Sequence, residues 1–116
     1  MNYTLYHNPR CSKSRQAKKI LEENNVNFET VLYLNSPLTE KELMNALDNL
    51  ASKPIFLVRT KEKEFKELKV NLELLSEKRF VAELLAKHPK LMERPLLTST
   101  NKTIIGRPPE KFSELI

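Results

Sequence analysis

Among 116 residues there is one cysteine, Cys11, and its setting is that of a reactive group. It stands between the turn-like His7-Asn8-Pro9-Arg10 and a run from Ser12 with helical periodicity. The free amides at a helix start stabilise an anion, and the helix dipole adds to them. A thiolate is such an anion, so its pKa is expected below that of a free cysteine. Arg10, Lys13 and Arg15 add positive charge. His7 is a candidate to lower the thiol pKa when protonated, or else a loop hydrogen-bonding group. The Ser14 hydroxyl is a candidate donor to the sulfur from the next turn. The competing reading of a lone cysteine is a small buried hydrophobe, but Arg10, Ser12 and Lys13 are not core neighbours. One cysteine and two histidines leave too few soft ligands for a familiar metal site.

The elements that must position Cys11 are readable from patterning. Tyr3-Thr4-Leu5-Tyr6 alternates and is rich in strand formers. From Ser12 to about Asn24, Ala17, Ile20 and Leu21 share one helical face opposite Lys18, Lys19, Glu22 and Glu23. Asn24-Asn25 supplies a stop. Phe28 to Leu34 reads as a second strand, parallel to the first if the crossover is right-handed. Thr39-Glu40-Lys41-Glu42 is a capping-box sequence, followed by an apolar stripe of Leu43, Ala46, Leu47 and Leu50. Pro54 opens a short helix through Phe56, Leu57 and Val58. Lys61 to Glu67 alternates in charge and reads as a solvated face. A further helix begins at Ser76-Glu77, with Phe80, Val81, Leu84 and Leu85 on one side. It ends at His88-Pro89, where His88 suits a C-cap. Leu96-Leu97-Thr98 and Thr103-Ile104-Ile105 form two short strands joined by a hairpin turn. Pro108-Pro109 opens a last helix with Phe112, Leu115 and Ile116 inward. The order is β-α-β, a helical block, β-β-α: an α/β fold with helices around a small mixed sheet.

Length and composition bound the rest. The chain is one domain by length, 1–116, large enough for a single core without disulfides or metals. Its single glycine, Gly106, excludes a glycine-rich phosphate loop or dinucleotide fingerprint. The net charge of +5 favours anionic partners, but no block of like charge points to nucleic acid. No apolar run is long enough to span a membrane. The first residues carry no secretory pattern, and the expected location is the cytoplasm. Nothing in the sequence requires an oligomer, and a monomer is expected.

The loop His7-Asn8-Pro9-Arg10-Cys11-Ser12-Lys13-Ser14-Arg15 resembles the active-site loop of the glutaredoxin-dependent arsenate reductase (ArsC) family. The resemblance extends through Arg59 after Phe56-Leu57-Val58, His88-Pro89, Arg94-Pro95-Leu96-Leu97 and Gly106-Arg107-Pro108. It departs at Ser12-Lys13, where the best-known arsenate reductases carry Gly-Thr. The resemblance implies a thioredoxin/glutaredoxin-like fold with an inserted helical subdomain, about residues 38–88, and a cis peptide at Arg94–Pro95. It implies Cys11, His7 and Ser14 as the catalytic group, with Arg59, Arg94, Arg107 and Asn8 binding substrate. Arginine forks suit a tetrahedral oxyanion such as arsenate, since each can give two hydrogen bonds.

The implied activity is attack of Cys11 on arsenate, with glutathione and glutaredoxin completing reduction to arsenite. No bound cofactor is expected; glutathione serves as external reductant. One cysteine cannot resolve an adduct through an internal disulfide, so a reductase of this sequence needs an external thiol. Two other readings share the resemblance. One is an Spx-like transcriptional regulator that binds RNA polymerase, suggested also by Leu68-Lys69-Val70-Asn71-Leu72-Glu73. The usual Cys-x-x-Cys switch of such regulators is excluded by Ser14 at the second position. The other is a monothiol, glutaredoxin-like oxidoreductase.

Overall fold

The computed structural model describes residues 2–115, with Leu115 through its backbone only. The chain forms two compact units: residues 1–36 with 94–116, and the intervening Pro37–Glu93.

The first unit is built on a four-stranded sheet. Strands β1 (Tyr3–His7) and β2 (Phe28–Leu32) pair in parallel, with Leu5 opposite Thr30. A parallel pair needs a crossover, and helix α1 (Ser12–Glu23) supplies it. β2 stops at Leu32, two residues before the expected end, because the amides of Asn35 and Ser36 both turn back to the Leu32 carbonyl. Asn25 sits at φ 55, the left-handed conformation that asparagine tolerates at a helix end, so the predicted stop is real.

Two further strands, β3 (Leu96–Thr98) and β4 (Thr103–Ile105), close the sheet in the order β2-β1-β3-β4, both pairings antiparallel. The register sets Leu5 against Leu97 and Leu97 against Ile104. These residues therefore share one face of the sheet. Ala17 and Leu21 of α1, with Phe112 from the closing 3-10 helix (Pro109–Leu115), complete the buried cluster there. The inward placement expected of Leu115 and Ile116 lies outside the described residues.

Gly106 follows β4 and is held by its amide to the Pro95 carbonyl at 2.8 Å. A Cβ added there would stand 2.8 Å from both Phe112 Cζ and Pro95 Cγ. Both rings are buried. Gly106→Ala should therefore destabilise by about 1–3 kcal/mol, the usual range for overpacking. Thermal melting would show this as a loss of roughly 4 °C for each kcal/mol. An unchanged melting temperature would mean that the rings yield freely.

The second unit is helical. The Thr39 capping box forms in both directions: Glu42 N–H donates to Thr39 Oγ1 at 3.1 Å, and Thr39 N–H donates to Glu42 Oε1 at 2.9 Å. It opens α2 (Glu40–Asp48), whose Leu43, Ala46 and Leu47 are buried. Leu50 falls beyond the helix end, so the expected stripe is one turn shorter. A 3-10 turn (Pro54–Leu57) precedes α3 (Lys63–Leu68), which was not expected. Its charge-rich sequence buries only Phe65, too little for an apolar period to show. A second 3-10 turn (Leu72–Ser76) leads to α4 (Lys78–Lys87), where Val81, Ala82, Leu84 and Leu85 are buried and against which α2 packs. α4 ends at His88, as expected. Among the described residues, no helix is long and apolar enough to cross a membrane.

Candidate active site

Everything around Cys11 in the first unit begins with a turn that starts a helix. Pro9 removes one amide from the chain, and Asn8 organises the rest. Its side-chain oxygen accepts from the Arg10 amide at 3.0 Å, and its carbonyl accepts from the Cys11 amide at 3.0 Å. Cys11 is thereby left extended (φ −95, ψ 121) as the N-cap of α1, and its carbonyl accepts the first helical bond, from Arg15 N–H at 3.0 Å. No side chain caps this helix start, and no acidic residue lies in its first turn. The free amides therefore face the cysteine sulfur.

Burial is the largest single influence on Cys11 and raises its pKa. It is outweighed by the Ser14 amide, a hydrogen bond and positive charge from Arg94, and the Lys13 amide, so the thiol titrates below its ordinary value. Arg107 adds a longer contact, Nη2 to Sγ at 3.6 Å. Its Nε donates to the Arg94 carbonyl at 2.9 Å, which ties the two arginines together. Both precede cis-prolines: the Arg94–Pro95 and the Arg107–Pro108 peptides are cis, the second without having been expected.

Ser14 and His7 have other duties than those expected. Ser14 is fully buried. Its hydroxyl accepts from the Asn8 amide at 3.1 Å and lies 2.6 Å from His7 Nδ1. It reaches the sulfur through its backbone amide instead. The expected side-chain bond to the sulfur is thus corrected to a backbone one, because the hydroxyl is already engaged by the loop on the side of Asn8 and His7.

His7 is lowered in pKa, first by burial, then by Lys18 and Arg15, against a smaller opposing effect of Glu22. It is neutral at neutral pH and supports the loop rather than acting as a cation beside the thiolate. Acidification should therefore weaken the fold. Below pH about 6.5 the unfolded chain takes up a proton that the buried ring resists, and this loss continues until the pH passes the lowered native pKa. In denaturant melts, His7→Gln should flatten that part of the stability–pH curve; an identical slope would show that another group is responsible.

Arg59 belongs to the helical unit. There its guanidinium pairs with Glu62 and lies 3.8 Å from Glu93, while its amide donates to the Leu91 carbonyl at 2.7 Å. His88, the C-cap of α4, sits 3.7 Å from Glu64. No group of three or more metal-ligating side chains occurs among the described residues. The helix-start amides were expected, and the structure identifies them as those of Ser14 and Lys13. The features that residue reasoning missed are the cis Arg107–Pro108 peptide and the bracing of Arg107 by Arg94, which had no signal in the sequence.

The chain is 42% identical to the uncharacterized protein YfgD of Escherichia coli K12 over 115 residues, covering 97% of this chain and 94% of that one. It is 32% identical to the global transcriptional regulator Spx of Streptococcus pyogenes over 103 residues, covering 89% and 76%. Among solved structures, an arsenate reductase from Vibrio cholerae superposes with a TM-score of 0.85 at 31% identity, covering 100% and 98%. The fold is thioredoxin-like α/β, with a four-stranded mixed sheet and helices. The ArsC family model matches from residue 6 to residue 115, from the first strand to the closing helix, and the chain belongs to the ArsC family.

Proposed function

We propose that this arsenate-reductase-like protein is a thiol oxidoreductase that reduces arsenate with glutathione and glutaredoxin as external thiols. The observation that carries the reading is the Cys11 sulfur at the head of α1, where the Ser14 and Lys13 amides and Arg94 favour its anion, with Arg107 beside it. Such a cradle stabilises a nucleophile and also receives the oxygens of a tetrahedral oxyanion.

The Cys11 thiolate first forms a sulfur–arsenic bond, and one arsenate oxygen leaves, with protons, as water. Glutathione forms a second sulfur–arsenic bond and displaces another oxygen as water. A glutaredoxin thiolate then attacks the glutathione sulfur. The new disulfide carries glutathione away, and the bonding pair stays on arsenic, which falls from As(V) to As(III). Water takes the place of Cys11 on arsenic, arsenite leaves, and the thiolate returns. Arg94 and Arg107 offset the charge of oxyanion and thiolate together. The single cysteine makes the external thiol obligatory.

Arsenite should form when the protein is supplied with arsenate, glutathione and glutaredoxin, and should not form when either thiol is withheld. A folded protein that yields no arsenite in the complete mixture would sink the reading. Turnover of a glutathionylated substrate without arsenate would instead favour the monothiol oxidoreductase.

The likeness to Spx supports a second reading, a regulator that binds RNA polymerase. With Ser14 in the second position of the usual cysteine pair, no intramolecular disulfide can switch it. Co-purification with RNA polymerase tests it, and lack of binding removes it.

A further inference from the structure

The helical unit carries a surface that the chemistry at Cys11 does not use. An open hollow of about 450 Å³ lies between the Pro54–Leu57 turn, α3 and the Leu72–Ser76 turn, with Ile55, Phe65, Val70 and Leu72 in its walls. Lys66 and Lys69 stand on its rim. A second hollow of about 230 Å³ shares Val70 as a wall and adds Leu68 and Phe80, with Glu83 and Lys87 as opposite charges among its lining. Leu72 is 60% exposed and Leu68 39% exposed, so this apolar surface is open to solvent.

Of the nearby carboxylates, Glu62 pairs with Arg59 and Glu67 with Lys63, and Glu64 lies 3.7 Å from His88. Glu73, beside Leu72, has no ion-pair partner among the described residues. Lys66 and Lys69 have no ion-pair partner among the described residues, and no acidic residue lines the larger hollow. Lys69 also holds the left-handed C-cap of α3, at φ 52. Glycine or asparagine would take that conformation more easily. The backbone there tolerates a less favourable residue that brings a charge to the rim.

From this we infer that the paired hollows form a docking surface for an acidic, amphipathic segment of a partner protein. Its apolar side chains enter the two hollows on either side of Val70, and its carboxylates meet Lys66 and Lys69. A second copy of this chain is a poor occupant, because it carries a net charge of +5. The concavity suits projecting side chains better than a flat lipid surface does. The docking surface stands independently of the reaction proposed at Cys11.

The probe is a short synthetic peptide with Leu and Phe at helical spacing, flanked by Glu and Asp. It would be titrated into the ¹⁵N-labelled full chain by NMR. Saturable shifts at Lys66, Lys69, Val70 and Leu72 are expected. Lys66→Glu with Lys69→Glu should weaken binding at least ~10-fold, the effect of losing and reversing two rim charges. Leu72→Ser should weaken it while leaving the charges in place. All three side chains are exposed, so a dispersed spectrum of each variant confirms its fold. The inference is overturned by no shifts at millimolar peptide, by unchanged affinity in the charge-reversed variant, by shifts with phosphatidylglycerol vesicles but not with the peptide, or by shifts that follow protein concentration alone.

Discussion

Cys11→Ser will lower arsenite formation by on the order of 10⁴-fold or more, as loss of a covalent nucleophile does elsewhere, while leaving the fold, at acid pH where the thiol is protonated, as stable as before or slightly more so. The two effects have separate causes. A serine hydroxyl ionises far less readily than the Cys11 thiol, whose anion the amides of Ser14 and Lys13 and the Arg94 guanidinium favour, so the variant offers no comparable nucleophile. Cys11 is also the N-cap of α1 and makes no side-chain cap. Serine is a favoured N-cap, and a new bond to a free amide is worth up to about 1 kcal/mol. Coupled arsenite assays read the first effect, and thermal melts the second. A variant that loses activity because it unfolds would leave the chemistry of Cys11 undemonstrated; a stable variant that still turns over would remove Cys11 as the nucleophile.

Arg94→Ala is the second large effect. Arg94 gives the sulfur both a hydrogen bond and a nearby charge. Without it, burial has less to oppose it, and the thiol pKa rises. The acid limb of the rate–pH profile should then move to higher pH, and thiolate absorbance should appear later in an alkaline titration. By linkage, a lowered thiol pKa adds stability that is fully present above the unfolded thiol's pKa and is lost as the pH falls through the native value. The alanine variant should show less of that pH-dependent stability. Arsenate should also bind more weakly, by roughly 10- to 100-fold, for the loss of a charge-assisted bond of about 1.5–3 kcal/mol. Arg94→Lys would keep the charge but lose the planar fork, and should recover the pKa better than the affinity. If neither the acid limb nor arsenate affinity moved in Arg94→Ala, the residue would be a structural one that braces Arg107 through its carbonyl.

How far the sequence reached depended on the range of the interaction. The capping box at Thr39, the left-handed stop at Asn25, the hairpin at Ser99–Lys102 and the helix start at Cys11 are each set by neighbours within a few residues. All were legible as patterns. The resemblance carried by the nine-residue loop and the Arg-Pro segment extended that reading to the family, which the match over residues 6–115 supports. α3 was not legible because burial of Phe65 alone leaves no period to detect.

The same division runs through the site. The sequence by itself determined that Cys11 would face free amides with cations close by, because a helix start and its flanking residues are local. It also determined that no second cysteine could resolve an adduct. Only the tertiary structure decided which side-chain cations reach the sulfur: Arg94 and Arg107 arrive because β3 and β4 pair beside β1 and set the ends of distant segments next to the head of α1. It decided as well that His7 is neutral and that the Ser14 hydroxyl faces the loop, since burial and a shared hydrogen bond depend on what folds over them. Cys11 thus owes its position to residues beside it in sequence, and its charged company to residues far along the chain, at positions 94 and 107.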